Sequence, residues 1–152
     1  MDTIEIASGG ALVFASAKEA SENFRPSGGK AIVCLVPATS PWDEQNAEAI
    51  ELLLSTGCDY FAFFGMYSSL FHNEADFLIE SRAPVYVKGR GEFPAHATTA
   101  EIDGTLDDVA AIFLHSAGAA STSRNETVWL TLIGSDAHDV QLRAALVRQA
   151  GA

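Results

Sequence analysis

Basic residues are scarce in this sequence. Its 152 residues include 9 Lys and Arg against 20 Asp and Glu, which gives a net charge of −11. Nucleic acids and anionic membrane surfaces are bound mainly through Lys and Arg, so the composition disfavours both as partners. No apolar run approaches the ~20 residues of a membrane span, and Asp2 and Glu5 stand where a secretory signal would be positive. We therefore expect a cytoplasmic protein without a membrane segment. Its charge suits a partner protein with a basic surface, although plain solubility is the favoured explanation of the charge alone.

Sequence motifs of catalysis and cofactor binding are also missing. The chain has no G-x-G-x-x-G after a strand, no P-loop, no G-x-S-x-G, no C-x-x-C and no H-E-x-x-H. Metal-ligand spacings are missing too, so neither a cofactor nor a metal is expected. The two cysteines, Cys34 and Cys58, lie in or beside apolar runs, which favours small core residues over catalytic thiols.

Two short apolar runs indicate buried strands. They are Ala31–Val36 and Tyr60–Phe64, and neither alternates with polar residues as a strand with one wet face would. Between them, Ser40 as N-cap and Pro41 at the first helical position predict a helix, which Gly57 ends as a left-handed cap. A strand, a helix and a strand in this order predict a β-α-β unit with parallel strands.

Helices and strands continue to alternate along the rest of the chain. We expect a single α/β domain over residues 1–152, a three-layer α/β/α sandwich with a mostly parallel sheet and an N-terminal hairpin antiparallel at one edge. The further predicted elements are a hairpin over 3–15, a helix over 17–24, a helix from Ser68 or Ser69 to Arg82, a third parallel strand at Val85–Val87, an extended piece at 98–102, a helix opening at Thr105, a fourth strand at Thr127–Ile133 and a last helix with Val140, Ala144 and Val147 facing inward.

Any active site is expected where the parallel strands end. Ligands of open parallel sheets bind outside the carboxyl ends of the strands, near a reversal of strand order. This rule gathers residues 39–43, 65–72, 88–90 and 134–138 at one rim. The acid–base candidates there are His72, Asp136 and His138, and the ligand-binding candidates are Thr39, Ser40, Ser68, Lys88, Arg90 and Ser135.

Several of these candidates have a purely structural interpretation. Helix capping alone explains Ser40, Ser69 and Ser135, and it is the favoured interpretation of each. Lys88 and Arg90 are the only clustered basic residues, and two cations beside glycines suit a phosphate or a carboxylate. No helix follows them directly, so a solvated turn is favoured.

Two hypotheses of function remain from the sequence. The first is a non-catalytic protein-binding or regulatory module of the inhibitor or immunity type, favoured by the acidity and the missing motifs. The alternative is a small-molecule-binding protein or enzyme that uses the rim. In it, Asp76 could orient His72 four residues earlier on one helix face, although such pairs are also common surface decoration. Fold class does not decide, because α/β sandwiches host both kinds of protein.

Overall fold

The chain alternates helices and strands around one main sheet. The computed structural model describes residues 1–6, 10–23, 31–58, 60–81, 85–87, 91–93, 97–117, 127–133 and 137–151. The strands are β1 (Asp2–Glu5), β2 (Ala11–Ala15), β3 (Ala31–Pro37), β4 (Tyr60–Phe64), β5 (Val85–Val87), β6 (Gly91–Phe93), β7 (Thr98–Glu101) and β8 (Thr127–Leu132). The helices are α1 (Ala17–Asn23), α2 (Glu44–Ser55), α3 (Ser68–Glu80), α4 (Leu106–Ile112), which continues as a π-helical turn over Phe113–Ala117, and α5 (Ala137–Gln149).

The main sheet has six strands in the order β1-β2-β8-β3-β4-β7. The five strands from β2 to β7 pair in parallel, and β1 pairs with β2 antiparallel at one edge. The helices α1, α2 and α3 pack on one face, and α4 and α5 pack on the other. The α/β sandwich, the mostly parallel sheet and the antiparallel N-terminal hairpin are therefore confirmed.

Strand β4 is covered on both of its faces. Because successive side chains of a strand point to opposite faces, Phe61 and Phe63 join the core beneath α1–α3, whereas Ala62 and Phe64 join the core beneath α4 and α5. All four side chains are buried. This confirms the inference, drawn from the unbroken apolar run, that the strand has no wet face.

Both cysteines are buried free thiols in the core beneath α1–α3, as predicted. Burial raises the pKa of the Cys34 thiol well above its ordinary value, and the neighbouring Cys58 thiol adds to the effect. A thiol of this kind is a poor nucleophile, because the thiolate is the reactive form.

The prediction of a third parallel strand at Val85–Val87 is wrong. This segment pairs antiparallel with β6 in a separate two-stranded sheet. The place beside β4 belongs to β7, the weak extended piece predicted at 98–102. Three residues with high β propensity can pair in a two-stranded hairpin as readily as in a larger sheet. The composition of Val85–Val87 therefore did not reveal which strand it pairs with.

The start of α2 also differs from its prediction. The helix begins at Glu44, and the Asp43 carboxylate caps it by accepting from the backbone N–H of Asn46 at 2.9 Å. Ser40 is exposed and caps nothing there, so its interpretation as the N-cap is wrong. Gly57 follows the helix with φ of 98°, in the left-handed region, which confirms its predicted role.

The inward face of α5 was predicted wrongly. Val140 is 62 % exposed and Ala144 is exposed, whereas Leu142 and Leu146 are fully buried. Val147 lies between these extremes. The helix carries two apolar stripes, and the one with two leucines packs inward because it removes more apolar surface from water.

Candidate functional site

The order of the strands creates reversals at the rim where the parallel strands end. Strands β2 and β3 lead into α1 and α2 on one face, whereas β8, which lies between them, leads into α5 on the other. Likewise β4 leads into α3, and its neighbour β7 leads into α4 on the opposite face. Ligand sites of open parallel sheets form at such reversals, so both reversals are candidate sites.

A polar network occupies the reversal between β4 and β7, and Glu101 is its centre. One oxygen of the Glu101 carboxylate accepts hydrogen bonds from the hydroxyls of Ser68 at 3.3 Å and Ser69 at 2.7 Å. Its other oxygen lies 2.9 Å from Nδ1 of His72. These contacts lower the pKa of Glu101 from its ordinary value, with the His72 hydrogen bond as the largest cause and the Ser69 hydrogen bond next.

His72 itself lies between two carboxylates. Nδ1 faces Glu101, and Nε2 lies 3.3 Å from Oδ2 of Asp76, four residues later on α3. The hydroxyl of Thr99 donates to the other oxygen of Asp76 at 2.6 Å. The imidazole also stacks against Phe63, with 6.5 Å between ring centroids. The imidazole ring is therefore contacted by Asp76 of α3, Glu101 of β7 and Phe63 of β4.

The side chains of this network bond to one another. A serine nucleophile requires a base that accepts the proton of its hydroxyl, and the base must keep one ring nitrogen for that purpose. Here Ser68 and Ser69 donate to Glu101, and both nitrogens of His72 face carboxylate oxygens. The arrangement joins the first turns of α3 to the edge strand β7.

Ser68 and Ser69 do not cap α3, contrary to their predicted role. The N-cap residue is Tyr67, which makes no side-chain capping bond, and Ser68 is already the first helical residue. Glu101 and Thr99 were missed as members of the site because the signals of residues 92–104 were weak. Their partners lie 23 to 33 positions away in the chain, and only the pairing of β7 with β4 brings them together.

The two histidines proposed as acid–base candidates lie on opposite faces of the sheet. His72 stacks on Phe63, and His138 stacks on Phe64 with 5.9 Å between ring centroids. Since these phenylalanines are consecutive residues of β4, their rings point away from each other. The structure does not bring the histidines into one site.

The predicted candidates Thr39 and Ser40 lie in the described part of the rim. Both are exposed just after β3. The candidates Lys88, Arg90, Ser135 and Asp136 lie outside the described residues. For Lys88 and Arg90, the reason for placing them at the rim was a parallel β5, and that premise is wrong.

The other reversal carries a groove of about 490 Å³. It lies above the ends of β2, β8 and β3, between the starts of α1 and α2. Its apolar floor combines Val36, Pro37, Leu132 and Ile133, and its polar walls include Ser16, Lys18, Ser40, Asp43, Gln45 and Asn46. The groove is open to solvent, and its lining combines apolar with polar side chains.

A third feature is the solvent side of α2 and α3. Large apolar side chains are exposed there, and no Lys or Arg occurs in the sequence from residue 31 to residue 81. We call this the α2–α3 outer surface; its apolar members are Leu52, Met66, Leu70 and Phe77, and its acidic members are Glu48, Glu51, Glu74, Asp76 and Glu80.

The described residues include neither a cluster of metal ligands nor a membrane-spanning helix. Among them, no group of three or more His, Cys, Asp and Glu side chains is arranged to hold a metal ion. None of the described helices is long and apolar enough to cross a membrane. No protein-family model and no curated protein matches this chain.

Proposed function

We propose that this protein is a non-catalytic protein-binding or regulatory module, of the inhibitor or immunity type, whose partner presents a basic surface. The observation that carries the proposal is the one-sided charge of the α2–α3 outer surface. Helix α2 contributes Glu44, Glu48 and Glu51, α3 contributes Glu74 and Glu80, and no Lys or Arg occurs from residue 31 to residue 81. Like charges on one surface steer a partner of opposite charge and repel partners of the same sign.

The polar network beside β7 supports a non-catalytic role. Its hydroxyl, imidazole and carboxylate groups bond to one another. The placement of His72 and His138 on opposite faces of the sheet also supports it, because these two acid–base candidates do not belong to one site. Free, buried Cys34 and Cys58 fit a reducing compartment, and we propose a cytoplasmic location on that basis.

A second candidate function is favoured by the groove above β2, β8 and β3. A small polar molecule would lie on its apolar floor and be bound by the groups of its walls, among them Ser40. Ligand-observed NMR with a panel of small polar metabolites tests this function. Binding that Ser40→Leu abolishes would support it, and a panel without any binder would count against it.

The protein-binding proposal is tested with two variants of equal charge. E48Q/E51Q/E80Q neutralises three exposed acids of the α2–α3 outer surface, and E5Q/E22Q/D103N neutralises three exposed acids elsewhere. Proteins captured from a cell extract by the wild type are identified by mass spectrometry and purified, and their association rates are measured at rising salt.

We expect a partner whose association slows as salt rises, because exposed charges are screened over about 8–10 Å at ordinary ionic strength. The α2–α3 variant should associate on the order of 10-fold more slowly, since charges at the rim of an interface act mainly on the association rate. The control variant should change little. A partner that binds all three proteins equally at every salt concentration would contradict the proposal.

A further inference from the structure

We infer that the docking site for this partner is the outer face of α3 with Leu52 of α2, and that it takes an apolar segment of another protein flanked by Lys or Arg. This inference rests on the proposed function and narrows it to one surface and one class of partner. The remaining steps concern the geometry of the face, its charges and the competing occupants.

The apolar residues of this face are exposed to an unusual degree. Met66 is 85 % exposed, Phe77 is 68 % exposed and Leu70 is 39 % exposed. In the described part of the chain, seven large apolar side chains are exposed, and four of them belong to the α2–α3 outer surface. Adjacent exposed apolar residues, unlike residues scattered singly, indicate an interaction site, and Leu70 and Phe77 belong to the same helix.

Helical spacing aligns two of these residues, Leu70 and Phe77, on one side of α3. With about 3.6 residues per turn, they are seven positions apart and lie almost directly above each other, whereas Met66 lies in the turn before the helix begins. The opposite side of the helix carries Phe71 and Ala75, which are fully buried against the sheet. The exposed stripe is therefore a second apolar face and not the edge of the core.

Acidic residues line both sides of the stripe. By the same spacing, Glu74 lies on one side of the line from Leu70 to Phe77, and Glu80 lies on the other. The pattern repeats on α2, where Leu52 lies with Glu48 and Glu51 in a depression of about 370 Å³. An apolar centre within an acidic rim is complementary to an apolar segment with basic neighbours.

The charges also decide between possible occupants. A second copy that docked through the same face would bring two acidic rims together, which costs free energy. An anionic membrane would be repelled in the same way, because such surfaces attract basic segments. A protein segment with Lys or Arg on both sides of its apolar residues meets neither obstacle.

Helix α3 is also held rigidly, which favours binding. On its inner side Phe71 packs edge-on against Trp42, with ring centroids 5.1 Å apart, and against Phe63 at 6.1 Å. Its first turns are tied to β7 through Glu101. A face that is ordered before binding loses less conformational entropy when the partner arrives.

The test uses a synthetic amphipathic peptide as the probe, with Leu and Phe along one side and Arg on both flanks. A second peptide carries Glu in place of Arg. Binding is followed by amide chemical shifts of the labelled protein and by fluorescence anisotropy. Phe77→Ser is compared with Val140→Ser, a matched control that removes an equally exposed apolar side chain from α5.

We expect the Arg peptide to shift amides of residues 66–80 and Leu52, and Phe77→Ser to weaken binding about 10- to 30-fold, as expected for an aromatic anchor of an interface. Val140→Ser should bind the Arg peptide as tightly as the wild type does. The Glu peptide should not bind the wild-type protein. The inference is overturned by shifts confined to other surfaces, by undiminished binding to Phe77→Ser, by equal binding of both peptides, or by no shift up to millimolar peptide.

Three further outcomes separate this inference from the proposed function. A dimer in sedimentation that Phe77→Ser dissociates would make a second copy the occupant and overturn the choice of partner. If E48Q/E51Q/E80Q slows association of the captured partner but Phe77→Ser does not, the docking site is wrong and the protein-binding function stands. If neither variant affects the captured partner, both fail.

Discussion

Phe63→Ala tests whether β4 is the buried centre of the fold. The side chain is fully buried, and its ring packs against Phe61 at 6.5 Å and against Phe71 at 6.1 Å between centroids. Truncating a buried aromatic ring costs about 3–5 kcal/mol, through lost transfer free energy and the cavity that remains. We expect the upper half of this range, because neighbouring rings are rigid and relax poorly into a cavity.

Urea unfolding followed by far-UV circular dichroism measures this loss as a lower midpoint at unchanged slope. Phe77→Ala is the matched control, because it removes the same side chain from the outer side of α3, where it is 68 % exposed. That variant should change the free energy of unfolding by less than about 0.5 kcal/mol. A loss below about 1 kcal/mol for Phe63→Ala would mean that the ring is not buried and would refute the account of β4.

Three further predictions concern thiols, pH and helix capping. A water-soluble thiol reagent should label neither Cys34 nor Cys58 until urea is added, and rapid labelling of the native protein would contradict their burial. Folding lowers the pKa of Glu101, so its carboxylate should stabilise the protein fully above the ordinary pKa, and this stabilisation should fade as the pH falls through the lowered pKa. When urea midpoints are compared across pH, wild type and Glu101→Gln should therefore converge in acid. Asp43→Ala should cost about 1 kcal/mol in the same urea assay, whereas Ser40→Ala should cost almost nothing, and equal losses would restore Ser40 as the cap.

The parts of the fold that were predictable have strong local signals. The runs of β3 and β4 are long and uninterrupted, and Gly57 adopts the positive φ that its position after α2 requires. The failures share a cause: a local pattern had more than one solution. The three residues of β5 suit a hairpin or a sheet, and α5 has two apolar stripes of which only packing selects one.

The candidate site was predictable only in part, because its members are distant in the chain. Ser68 and His72 were found from their place after a strand, and the spacing of His72 and Asp76 was visible in the sequence. Glu101 is the last residue of a four-residue edge strand with a weak signal, and nothing local links it to α3.

The sheet divides the interior into two cores, and this division has a consequence for local unfolding. No side chain is shared between the core beneath α1–α3 and the core beneath α4 and α5 in the described part of the chain. Helices on one face can therefore detach while the strands and the other layer stay packed. In native-state hydrogen exchange, the amides of α4 and α5 should form one cooperative opening unit and those of α2 and α3 another. Substitutions on α5 should then leave the exchange rates of α3 unchanged, so a partner bound to α3 would slow exchange in its own layer alone.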